Sequence, residues 1–65
     1  MIAHLNGELA AIGDRWVVLD VNGIGYRVYV TRPTLEELQS REGRVRLCTH
    51  MAVREDAIAL YGLLN

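Results

Sequence analysis

The sequence contains no lysine and no phenylalanine, a single cysteine, a single proline and no long apolar run. Each shortage excludes something. With Cys48 as the only cysteine, no disulfide can form within the chain, which suits a reducing compartment. No stretch approaches the roughly 20 apolar residues of a membrane span. The opening residues, from Met1 to Glu8, lack the basic end and long apolar core of a secretory signal. A soluble, cytoplasmic domain is expected. At 65 residues there is room for one small domain. A chain this short buries only about 60% of its unfolded surface, so it has little material for an enclosed catalytic cleft.

What is present is near neutral, with a formal net charge of −1. Global charge therefore gives no pull toward nucleic acid. All seven basic residues are arginine, the side chain that grips phosphate with a two-pronged fork. A GC-rich genome also favours arginine, so this feature weighs little.

The strongest local signal is Asn22-Gly23, which suits a two-residue hairpin turn because both residues tolerate positive φ. It sets Val21 opposite Ile24, Leu19 opposite Tyr26 and Val17 opposite Val28 on one face. Trp16, Val18, Asp20, Arg27 and Tyr29 occupy the other. A strand is predicted before the hairpin, over Ile2 to Ile12, with Gly7 marking a bulge or barrel corner. Pro33 suits the first turn of a short helix, in which Leu35 and Leu38 share a face. Glu36 and Glu37 are expected near its N-terminal end and Arg41 near its C-terminal end, with Gly43 as its stop. A fourth strand is expected over Arg44 to Val53. Its inner face would carry Val45, Leu47, Thr49, Met51 and Val53. Arg54-Glu55-Asp56 would form a turn, and Ala57 to Leu63 a fifth strand. Three strands, one helix and two strands is the order of an OB-fold: an all-β, five-stranded Greek-key barrel with its short helix between strands 3 and 4.

Few residues carry chemistry. Glu55 and Asp56 read by spacing alone as a solvated hairpin tip. Adjacent carboxylates on a turn point apart, whereas a glycosidase-type pair needs about 5 to 10 Å and a cleft. No nucleophile–base constellation or phosphate-cradling loop accompanies them, so no enzyme activity and no cofactor are expected. Arg44 and Arg46 alternate on an outer strand face, where they would either track phosphates or serve as solvated edge charges. Cys48 and His50 share that face, with His4 as a conceivable third ligand. The ligand set is too sparse to predict a metal site.

Three segments resemble one family, the RuvA proteins of bacterial Holliday-junction processing. These are Met1-Ile2 with Leu5 and Gly7, then Val21-Asn22-Gly23-Ile24-Gly25-Tyr26 with Val28, then Thr49-His50 with Val53-Arg54-Glu55-Asp56-Ala57 and Leu60-Tyr61-Gly62. The last block is the most specific. One departure is Leu63, where the family usually has Phe. The resemblance implies an N-terminal domain, residues 1–65, of a longer protein. Helix-hairpin-helix and motor-binding domains would follow it. It also implies a homotetramer that binds four-way junction DNA, loads the RuvB motor and cooperates with the RuvC resolvase. The ATPase activity would lie in the motor. Glu55 and Asp56 would be an acidic pin at the strand crossover, with Arg54 either reaching a phosphate or pairing with Glu55 or Asp56. A generic OB module for single-stranded nucleic acid or protein is the competing reading.

Overall fold

The computed structural model describes residues 1–41 and 43–64. Five strands and one helix follow in the order β1 (His4–Ile12), β2 (Trp16–Val21), β3 (Ile24–Tyr29), α1 (Arg32–Gln39), β4 (Arg44–Val53) and β5 (Ile58–Leu64). The strands close into a barrel in the order β1-β2-β3-β5-β4. β3 and β5 run parallel and the other neighbours antiparallel. This is the OB-fold that the element order predicts.

The β2–β3 hairpin has the register set by its turn: Val17↔Val28, Leu19↔Tyr26 and Val21↔Ile24. Asn22 and Gly23 both have positive φ, at 54° and 92°. Asp20 tightens the turn, its Oδ1 accepting from the Gly23 N–H at 2.8 Å. Val17, Leu19 and Val28 are fully buried.

β1 does double duty. Residues His4 to Glu8 pair with β4, and Glu8 to Ile12 pair with β2. Gly7 lies at this corner, where an added Cβ would run into the backbone carbonyl of Asp20. Gly7 is thus a barrel corner, and the bulge lies further on. Leu9 faces Leu19 while Ala11 faces Val18, which leaves Ala10 as the extra residue. The expected change of apolar phase at Gly7 is corrected accordingly. Leu5, Gly7 and Leu9 keep one parity, and the bulge at Ala10 brings Ile12 opposite Val17. Residues Ile2 and Ala3 precede the strand but are held to β4 by Thr49. Its Oγ1 donates to the Ile2 carbonyl and its N–H to the Ala3 carbonyl, both at 2.8 Å.

Helix α1 is shorter than expected. Thr31 is its N-cap, its Oγ1 accepting from the Thr34 N–H, and Pro33 lies in the first turn. It ends at Gln39 with Ser40 as C-cap, so Gly43 lies beyond it and is not its stop. No acidic residue falls in the first turn and no basic residue in the last. Glu36 and Glu37 therefore do not complement the N-terminal dipole, and Arg41 instead pairs with Glu37 at 3.5 Å. Leu35 and Leu38 join the barrel core of Leu5, Val17, Leu19, Val28, Val30, Val45, Leu47 and Leu60. Val53 is the exception to the expected inner face. It is 64% exposed, because the end of the β4–β5 hairpin overhangs the barrel beyond the last core layer at Leu60.

Candidate functional site

The overhang is built from two strands that pair without a break, from Leu47↔Leu64 to Val53↔Ile58. A four-residue loop from Arg54 to Ala57 caps it, closed by the Arg54 N–H donating to the Ala57 carbonyl at 2.8 Å. Glu55 and Asp56 stand at the crest, and Arg54, Glu55, Asp56 and Ala57 are all exposed. Arg54 makes no ion pair with Glu55 or Asp56. The Arg41–Glu37 contact is the only salt bridge among the described residues. The crest thus carries two uncompensated carboxylates beside one free guanidinium.

Alternation gives the overhang two unlike faces. Val53 and Ile58 form a cross-strand pair on one, exposed at 64% and 70%. Ala52 and Ala59 form the next pair, on the other face. There the small side chains leave a hollow of about 220 Å³, lined by Ala52, Arg54, Asp56, Ala57, Ala59 and Tyr61. Simple alternation could not reveal this arrangement, because it does not say where the barrel core stops. The available signal was the run of alanines at 52, 57 and 59 set against Val53 and Ile58.

Arg44 and Arg46 are not part of this tip. They lie at the opposite end of β4, up to roughly 30 Å away at ~3.3 Å per residue. Both are exposed. Arg44 is engaged with β1, its Nε donating to Asn6 Oδ1 at 3.3 Å and its Nη2 to the Asn6 carbonyl at 3.1 Å. Arg46 faces Asn6 across the ladder.

A larger groove of about 550 Å³ opens beside the seam of β3 and β5, where Tyr29, Cys48, His50, Tyr61, Gly62 and Leu63 contribute to its wall. The Tyr29 and Tyr61 rings meet with centroids 5.7 Å apart. Gly62 keeps the wall thin, since a Cβ there would lie 2.7 Å from Val28 Cγ1. Trp16 faces Tyr29 in the ladder, but its ring is covered by the Arg27 guanidinium, 5.1 Å from the centroid. His4 faces Cys48, yet no three His, Cys, Asp or Glu side chains among the described residues converge on one point. Among the described residues, no helix is long and apolar enough to cross a membrane.

The family model described as the RuvA N terminal domain matches residues 1–62. Among curated relatives, the "Holliday junction branch migration complex subunit RuvA" of Symbiobacterium thermophilum is 52% identical over 65 residues. That alignment spans 100% of this chain and 32% of the relative. The protein of the same name from Desulforamulus reducens is 52% identical over 62 residues, 95% of this chain and 30% of the relative. The one from Dehalococcoides mccartyi is 44% identical, over 95% of this chain and 32% of the relative. The chain thus spans about a third of the length of the curated relatives it matches.

Proposed function

This chain belongs to the RuvA family, matching its N-terminal domain, and on that premise we propose that it serves a non-catalytic subunit that recognises four-way DNA junctions during branch migration. The observation that carries the reading is the overhanging hairpin with its two uncompensated carboxylates, Glu55 and Asp56. DNA carries about one negative charge per 1.7 Å of duplex axis. An acidic crest cannot add affinity for it. Its use is to repel, as a pin that keeps strands apart where they exchange partners.

Four copies around a four-fold axis would bring the crests together at the crossover. Arg44 and Arg46 lie far enough from the crest to meet phosphates of the arms, with Arg54 the candidate nearest the crossover. Most of the binding energy would come from the remainder of a full-length protein, through helix-hairpin-helix elements. That remainder would also engage the RuvB motor and the RuvC resolvase, in the bacterial cytoplasm.

The test is a titration of a full-length protein carrying this domain against a four-way junction and against linear duplex of the same arm sequence, at fixed salt. A clear preference for the junction is expected, and equal affinity would contradict the reading. A generic single-strand-binding OB module makes the opposite forecast for the 65-residue chain alone. It requires tight binding to a single-stranded oligonucleotide, whereas the junction reading expects little.

A further inference from the structure

The two faces of the hairpin overhang are complementary to each other. One carries a knob, Val53 with Ile58, and the other a hollow walled by Ala52, Ala57, Ala59 and Tyr61. Arg54 and Asp56 also line the hollow, while Glu55 does not. Within one copy Arg54 pairs with neither acid. Knob and hollow lie on opposite sides of one hairpin, so a single copy cannot bring them together. A second copy can.

We propose that the overhang is a head-to-tail contact between copies of this chain, with Val53 and Ile58 of one copy seated in the hollow of the next. Arg54 of one copy then reaches Asp56 of its neighbour. The contact joins two different patches, so it repeats around an axis and closes when the rotation per copy divides a full turn. It deepens the four-copy reading above and rests on it. It also divides the crest by role. Asp56 is engaged between copies, while Glu55 stays outside the hollow and faces the axis. Each tip from Arg54 to Asp56 retains one net negative charge, so the ring stays acidic at its centre.

The apolar part is worth having because both knob residues are mostly exposed in the single copy. The charged part gives direction, since like groups meeting across the contact are unfavourable. A symmetric contact, with the same patch on both sides, would set Val53 and Ile58 against themselves and leave the hollow empty.

The experiment is sedimentation velocity of the 65-residue chain over a wide concentration range at low salt. Arg54→Glu copies would set a new carboxylate against Asp56 of the neighbour, and Asp56→Arg copies would set a new guanidinium against Arg54 of the neighbour. Each variant alone is expected to self-associate at least tenfold more weakly than the parent chain. An equimolar mixture is expected to recover, because every contact in an alternating ring again joins opposite charges. Ile58→Asp removes the knob and should abolish association in any mixture, while thermal melts confirm that the exposed substitutions leave the fold intact. If the parent associates but the charge variants behave like it, or the mixture does not recover, the contact is wrong and the four-copy reading survives. If the parent does not associate at all, both fail for this chain.

Discussion

At the scale of single residues, the structure turns on a few positions where size leaves no choice. Gly7 is the clearest. A Cβ there meets a backbone carbonyl, that of Asp20, which cannot move without parting β1 from β2. Gly7→Ala should therefore cost about 1–3 kcal/mol, seen as a lower midpoint in chemical unfolding. Leu47 is fully buried at the heart of β4, and Leu47→Ala should cost about 2–5 kcal/mol. Unfolding of the chain at room temperature would register such a loss fully, since small domains have little stability to spare. Thr49 has a quieter part. Its hydroxyl holds the Ile2 carbonyl across the barrel. Thr49→Val should free the first residues at about 1 kcal/mol, read as faster amide exchange near the N-terminus.

At the scale of elements, the hairpin turn decides the register of two strands and the overhang decides where function sits. Gly23 holds a φ of 92°, so Gly23→Val should strain the turn by about 1–2 kcal/mol. Val53→Ser on the exposed overhang should leave stability within roughly 0.5 kcal/mol, a contrast that thermal melts of the two variants would display. These two positions also show what a sequence does and does not disclose. Asn22-Gly23 is local chemistry, so it pairs Val17 with Val28 without reference to the rest of the chain. Val53 continues an apolar alternation that is locally perfect. Only the closure of the barrel, a property of distant strands, puts it in solvent. The bulge at Ala10 was hidden for a similar reason, since alanine is neutral to either face and Gly7 nearby offers a louder signal. The helix ended early because Ser40 caps it through hydrogen bonds from its N–H and hydroxyl to earlier carbonyls, a role that sequence spacing alone assigned to Gly43.

At the scale of the whole molecule, charge placement matters more than charge total. The chain is near neutral, yet Arg44 and Arg46 lie at one end of β4 and the crest acids beyond the other. A four-copy assembly would turn that separation into an acidic centre and a basic periphery, matched to DNA strands that cross at the centre and run outward as arms. The motif Arg54-Glu55-Asp56 was legible in sequence as a match to known relatives. Its surroundings were not, because the knob, the hollow and the unpaired guanidinium exist only once β4 and β5 are paired and carried past the core.

The central claim is that the crest acts by negative charge rather than by shape. The most direct measurement replaces Glu55 with Gln and Asp56 with Asn in a full-length protein carrying this domain, which removes the charge and keeps nearly the same volume. Affinities for a four-way junction and for linear duplex are then compared at one salt concentration, with the mass of the assembly checked for both proteins. The account predicts tighter binding to duplex and a several-fold lower preference for the junction. An unchanged ratio, with assembly intact, would contradict it.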